Sequence, residues 1–78
     1  MLSNNNNYYI FIEEQNKKSV IKLIYDFNWS IIPISGYSIE DLKEYSNEYV
    51  IDDIIKDLIN KYDYVEEVSF EDIDDYIS

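Results

Sequence analysis

The sequence predicts an α+β domain of two layers, in which an N-terminal β-hairpin or three-stranded antiparallel sheet packs against two or three C-terminal helices. Short runs of β-branched and aromatic residues fill the first half, and apolar residues repeat every three or four positions in the second. The length of 78 residues suits one domain, and a hydrophobic content of 46% is enough for one core. We therefore expect a disordered, asparagine-rich tail at residues 1–7 and a single domain at residues 8–78.

The strand-rich part, residues 8–34, begins with a hairpin pattern. Residues 8–14 and 19–25 are rich in β-branched and aromatic side chains, and the polar residues 15–18 separate them. Residues 31–34 are apolar but contain the only proline, so a third strand there should lie at an edge of the sheet.

The predicted hairpin has more apolar side chains than one face requires. Alternation assigns four aliphatic side chains to the core side, namely Ile10, Ile12, Ile21 and Leu23. Glu13 and Lys22 would then face outward. Residues 8–12 are apolar throughout, so this strand is either covered on both sides or offers one side to a second copy or a partner.

The acidic helical part, residues 38–78, begins with two helix signals. Ser38 followed by Asp41 is a variant of the capping box, which predicts a short helix at residues 39–45. Asn47 can cap a longer helix. The apolar stripe of that helix consists of Val50, Ile51, Ile54, Ile55, Leu58, Ile59 and Tyr62.

The end of the chain is less regular. Residues 63–68 fit either a loop or a short strand. Ser69 and Asp72 repeat the capping pattern ahead of a last short helix. The apolar stripe predicted for that helix is Phe70, Ile73 and Ile77.

Charge is distributed unevenly along the chain. Seventeen acidic residues against six lysines give a net charge of −11, and there is no arginine. Residues 1–37 are balanced, so residues 38–78 carry the whole excess. This charge disfavours direct binding to nucleic acid or to an anionic membrane. With no apolar run long enough for a membrane span and no signal-peptide pattern, we expect a cytoplasmic protein.

The composition argues against catalysis and against a bound cofactor or metal. Without cysteine or histidine, the chain lacks disulfides, thiolate ligands and the commonest catalytic base. Neighbouring carboxylates on one helix, such as Asp52 and Asp53, point about 100° apart and cannot face each other across a scissile bond. The acidic residues 66–75 include no glycine for a calcium-binding loop.

The acidic side chains of the predicted helices suggest a binding surface. Carboxylates four residues apart on a helix lie about 6 Å apart, close to the spacing of phosphates along a nucleic-acid strand. Lys56 and Lys61 offset part of this charge, because Lys56 follows Asp52, and Lys61 follows Asp57, by four residues on the predicted helix. Solubility alone is the competing explanation for the charge. The candidate partner-binding carboxylates are Glu48, Asp52, Asp53, Asp57, Glu66, Glu67, Glu71, Asp72, Asp74 and Asp75. The candidate aromatic contacts are Tyr49, Tyr64 and Tyr76, because tyrosine is favoured at interfaces.

The chain is small, lacks histidine, cysteine and arginine, and places its predicted strands before acidic helices that end in SFEDIDDY (residues 69–76). In these features it resembles small acidic phage-borne inhibitors that mimic nucleic acid. Among these it is similar in style to the anti-CRISPR proteins, which block RNA-guided nucleases. The resemblance implies a stoichiometric inhibitor that acts in the cytoplasm of a host bacterium.

Two functions are therefore favoured, and a housekeeping interaction domain with no charge-driven target is the third alternative. In the first, the acidic helices block the DNA- or RNA-binding channel of a defence nuclease, first among them a CRISPR effector. In the alternative, the chain is an immunity protein or antitoxin that neutralises a basic toxin nuclease. Either partner is a basic nucleic-acid-binding protein, steered to the chain by charge. The chain itself would be a monomer or a homodimer.

Overall fold

The computed structural model describes residues 7–77, which form a four-stranded antiparallel sheet with helical segments on both sides. The strands are β1 (Asn7–Glu14), β2 (Lys17–Asp26), β3 (Asn28–Gly36) and β4 (Tyr64–Val68). The helices are α1 (Ile51–Lys61) and α2 (Ile73–Ile77), and a 3₁₀ turn at Phe70–Asp72 leads into α2. The α+β class is confirmed, with four strands rather than two or three and with short helices. The expected tail lies outside the described residues, except for Asn7.

The order of the strands in the sheet is β3-β2-β1-β4. The strand that contains Pro33 lies at an edge, as expected, and residues 63–68 supply the strand at the other edge. Gln15 and Asn16 alone connect β1 to β2, with φ angles of 53° and 67°. Positive φ at both positions is typical of the two-residue turns whose twist matches a hairpin.

Both faces of the sheet are covered, so the domain has a third layer in addition to the two that were expected. Successive strand residues point to opposite faces. The α1 face carries the four predicted core residues Ile10, Ile12, Ile21 and Leu23, packed with Ile54 and Leu58 of α1. The opposite face, called the α2 face, carries Phe11, Val20 and Val68, packed with Ile73 of α2. The apolar run in β1 thus supplies both cores.

The helix predicted at residues 39–45 is wrong, because residues 38–50 are irregular. Asp41 does not cap a helix with Ser38; it accepts a hydrogen bond from the Tyr62 hydroxyl at 3.0 Å. Tyr45 is buried and its hydroxyl donates to Asp57 Oδ2 at 2.7 Å. These contacts with α1 and its C-terminal cap replace the local bonds that a helix would have made.

The start of α1 also differs from the prediction. Val50 is the N-cap, and no side chain caps the helix there. Asn47 therefore does not cap α1; it lies in a turn in which the Glu48 N–H donates to Ser46 Oγ at 3.3 Å. The predicted apolar stripe is correct at its centre, where Ile54 and Leu58 are buried, but Ile59 is 52% exposed.

Alanine substitutions along the α1 stripe should lower the free energy of unfolding strongly at core positions and little at surface positions. Leu58→Ala or Ile54→Ala should lower the free energy of unfolding by about 2–5 kcal/mol, because each leaves a cavity under the sheet. Ile59→Ala should change it by less than about 0.5 kcal/mol. Urea denaturation followed by circular dichroism measures all three. Equal effects at Ile59 and Leu58 would show that the helix is rotated from the described orientation.

Phe27 is the single residue between β2 and β3, and its backbone is strained. Its φ of 66° lies in the left-handed region, which costs a residue with a side chain about 1–2 kcal/mol. The ring is 82% exposed, so packing inside the fold does not offset this cost.

Substitutions at Phe27 should therefore change stability according to backbone preference alone. Phe27→Asn should raise the free energy of unfolding by up to about 1 kcal/mol, because asparagine adopts the left-handed region more readily. Phe27→Val should lower it, since β-branched residues tolerate positive φ least. Both variants remove the ring, so a loss of stability in both would mean that the ring itself stabilises the fold.

Candidate functional site

Seven of the ten predicted partner-binding carboxylates form two surfaces on opposite sides of the sheet. Glu48, Asp52 and Asp53 lie exposed at and just before the first turn of α1, and we call them the helix surface. The C-terminal surface consists of Glu71, Asp72, Asp74 and Asp75, all exposed in the 3₁₀ turn and α2. Because α1 and α2 pack on opposite faces, the predicted carboxylates do not form one continuous row.

Asp57 belongs to the fold rather than to the helix surface. It is half-buried, and it accepts the hydrogen bond from the buried Tyr45 hydroxyl. The predicted pairing of Asp57 with Lys61 does not occur, because Lys61 lies 3.7 Å from Asp41 Oδ2 and donates to the Asp41 carbonyl at 2.6 Å. Asp57 thus helps to hold the irregular segment, residues 38–50, against α1.

Glu66 has a similar structural role at the other end of the chain. Its two carboxylate oxygens accept hydrogen bonds from the hydroxyls of Tyr64, at 2.6 Å, and Tyr76, at 3.1 Å. These bonds raise the pKa of both tyrosines. The two rings flank Phe11, with centroids 6.0 Å and 5.0 Å away. Glu66 therefore joins β4 to α2, whereas its neighbour Glu67 is exposed.

Tyr49 is also used mainly for packing. It is half-buried, and its carbonyl oxygen accepts a hydrogen bond from Trp29 Nε1 at 2.9 Å. Its hydroxyl accepts from Lys43 at 3.1 Å, and its ring packs edge-on to Tyr45 at 5.1 Å. Of the three aromatic candidates, Tyr64 is the most exposed, at 49%.

The C-terminal surface is the one farther in sequence from any lysine. Seven acidic residues follow Lys61 in the sequence and no lysine does. The helix surface, by contrast, shares its helix with Lys56 and Lys61. In the described part of the chain no direct ion pair joins Asp52 to Lys56, so Lys56 offsets the charge of the helix surface only through space.

Phe70 is an exposed aromatic ring next to the C-terminal surface. The sequence pattern assigned it to the buried stripe with Ile73 and Ile77, but it is 66% exposed, whereas Ile73 is buried and Ile77 half-buried. Its ring packs against Tyr9 at 5.3 Å. An open groove of about 530 Å³ separates it from Ile34 of β3, with Glu71 and Asp74 on its rim.

The position of Phe70 could not be predicted from the residue pattern. Phe70 lies in a 3₁₀ turn rather than in a regular helix, so the three- and four-residue spacing used for prediction does not apply to it. Ser69, the residue before it, donates its hydroxyl to Asp72 at 2.9 Å instead of capping a backbone N–H.

Among residues 7–77 no group of three or more acidic side chains is arranged to hold a metal ion. The longest helix in this range is α1, whose eleven residues are too few to span a lipid bilayer. Comparisons with protein-family models, with curated proteins and with solved structures find no match to the chain.

The buried tyrosine hydroxyls predict loss of stability at high pH. Burial, and then the hydrogen bond to Asp57, raises the pKa of Tyr45 above its usual range, and burial with Asp41 does the same for Tyr62. The unfolded chain loses these protons above about pH 10 while the folded chain keeps them, so stability should fall as pH rises beyond that point.

Removing the two hydroxyls tests this linkage. The double variant Tyr45→Phe and Tyr62→Phe should be less stable than the wild type at pH 8, because two hydrogen bonds are lost. Its stability should then fall less steeply between pH 10 and about pH 12. Urea titrations across this range measure both slopes. Parallel slopes would show that these two hydroxyls titrate as they do in the unfolded chain.

Proposed function

We propose that this protein is a stoichiometric inhibitor whose C-terminal surface takes the place of nucleic acid in the binding channel of a defence nuclease, with a CRISPR effector as the first candidate. The observation that carries the proposal is that the C-terminal surface gathers four exposed acidic residues within residues 71–75, with no base after Lys61 in the sequence. A channel that binds a polyanion presents lysine and arginine side chains at intervals set by the phosphates. A dense set of carboxylates can pair with those same side chains.

Charge alone would give fast association rather than tight binding. Complementary potentials steer two proteins together, whereas most binding energy comes from a few buried side chains, among which aromatic residues are enriched. Phe70 is suited to such a role, because it is 66% exposed beside Glu71 and Asp74. Its ring would enter an apolar recess of the partner while the carboxylates meet the basic rim.

The positions of the other carboxylates favour the C-terminal surface over the helix surface. Asp52 and Asp53 lie in the first turn of α1, where acidic residues also stabilise a helix through its dipole. Their presence therefore has an explanation in folding. At the C-terminal surface, Glu71 and Asp72 lie in a three-residue 3₁₀ turn, and Asp74 and Asp75 lie in the first turn of α2, which has only five residues. The dipoles of these short segments are smaller than that of the eleven-residue α1, so folding gives less reason for acidic residues there.

Neutralisation of each surface tests the proposal. The C-terminal triple variant, with Glu71→Gln, Asp74→Asn and Asp75→Asn, should weaken inhibition at least about tenfold at low salt, because it loses steering. The helix-surface triple variant, with Glu48→Gln, Asp52→Asn and Asp53→Asn, should weaken it less. A third variant, Glu13→Gln with Glu14→Gln, is the control for charge outside both surfaces. The measurement is cleavage of duplex DNA by a panel of purified RNA-guided nucleases, titrated with each variant.

Phe70→Ala gives a second, independent measurement on the same panel. It should speed dissociation from the inhibited nuclease by about tenfold or more, as expected for a buried aromatic contact. Because the ring is largely exposed in the free protein, the free energy of unfolding should change little.

The outcomes separate the two functions. Inhibition that is relieved by excess duplex DNA and lost in the C-terminal triple supports the nuclease proposal. Protection of cells from a ribonuclease toxin, without inhibition of any RNA-guided nuclease, would favour the immunity or antitoxin alternative. Equal loss in the Glu13 and Glu14 variant would show that the strand half, rather than either acidic surface, contacts the partner.

A further inference from the structure

The two edges of the sheet differ in a way that bears on self-association. At one edge β4 has only five residues and includes Glu66 and Glu67. Shortness and charge are the usual means by which proteins block pairing at an edge. At the other edge β3 has nine residues, NWSIIPISG, without a single charge, although 29% of the chain is charged.

The backbone of β3 presents unpaired groups at this edge. The Tyr37 N–H donates to the Lys18 carbonyl at 2.7 Å, so the backbone groups of Lys18 point toward β3. Because the backbone groups of successive residues alternate in direction along β2, those of Lys22 and Ile24 also point toward β3. There they lie opposite Ile32 and Ser30. It follows that the backbone groups of Trp29, Ile31 and Pro33 point away from the sheet.

Pro33 agrees with this orientation, because a proline within a sheet is tolerated where its missing N–H faces away from the partner strand. No hydrogen bond from another described residue reaches the backbone of Trp29, Ile31 or Pro33. An open groove of about 530 Å³ separates these residues from Ile39 and Leu42 of the irregular segment. The edge is therefore open to a further strand.

We infer that β3 pairs with β3 of a second copy, in antiparallel register centred on Ile31, to form a homodimer with a continuous sheet. In this register Ile31 and the partner's Ile31 exchange N–H and C=O bonds. Each Trp29 N–H donates to the carbonyl of the partner's Pro33. The missing N–H of Pro33 removes only the bond to the partner's Trp29 carbonyl.

Charge favours a second copy at this edge over other regions of the surface. Two chains of net charge −11 repel each other, and an uncharged strand allows the closest approach at the lowest cost. The pairing also covers Ile32, which is 40% exposed. An extra residue at Ile34 forms a bulge against Val20 and Ile21, which limits the regular edge to the residues before it.

Such a dimer is closed. The same edge is used by both copies, and the remaining edges are the short, acidic β4 strands. The pairing therefore stops at two copies rather than continuing into a fibre.

Sedimentation velocity over a range of concentrations tests the inference. The wild type should dimerise with a dissociation constant in the micromolar range, and added NaCl should strengthen the dimer by screening like charges. Binding of the C-terminal surface to a basic partner should weaken with salt, so the two interactions respond in opposite directions. Failure of one is thus distinguishable from failure of the other.

Two variants probe the edge. Ile31→Pro removes an outward N–H without removing a bond to β2, and Ser30→Lys adds the charge that blocks edge pairing in other sheets. Each should weaken the dimer at least about tenfold. Asn60→Lys, an exposed position on α1, adds the same charge and should leave it unchanged.

A wild type that stays monomeric at millimolar concentration would overturn the inference. So would a dimer that keeps its strength in Ser30→Lys, or one weakened equally by Asn60→Lys. If Ile31→Pro fails to fold, Ser30→Lys alone decides the result.

Discussion

The structure depends on one strand that is apolar on both sides. β1 lies between β2 and β4, with Ile10 and Ile12 pointing to one face of the sheet and Phe11 to the other. A strand of this kind is stable only if both faces are kept from water. Helix α1 covers one face and the short C-terminal helix covers the other, and this division places the exposed carboxylates on two sides of the molecule.

Tyrosine hydroxyls determine which carboxylates are available to a partner. Asp41, Asp57 and Glu66 each accept a hydrogen bond from at least one tyrosine, and through these bonds they join segments that are distant in sequence. In the part of the chain that the structure describes, no hydrogen bond joins Glu71, Asp72 or Asp75 to a tyrosine, and these three carboxylates lie on the surface. In a domain this small, the same residue type therefore serves both the fold and the proposed interface.

The parts of the fold that depend on local pattern could be predicted from the sequence, as the β1–β2 hairpin, the edge position of Pro33 and the burial of Leu58 show. Residues 39–45 could not, because their conformation follows from hydrogen bonds to α1 and its C-terminal cap that local spacing does not encode. The division of the carboxylates between two faces and the exposure of Phe70 depend on where a short C-terminal segment packs. The C-terminal segment packs on the α2 face because that side of β1 is also apolar.

Nuclear Overhauser spectroscopy on the intact chain tests this account most directly, because it reports which segment covers which face. We expect cross-peaks between the rings of Phe11 and Tyr76, whose centroids are 5.0 Å apart, and between the methyl groups of Ile12 and Leu58. No cross-peak should join Tyr76 to Leu58. Cross-peaks from Tyr76 or Ile73 to Leu58 would place both helices on one face of the sheet and would contradict the account.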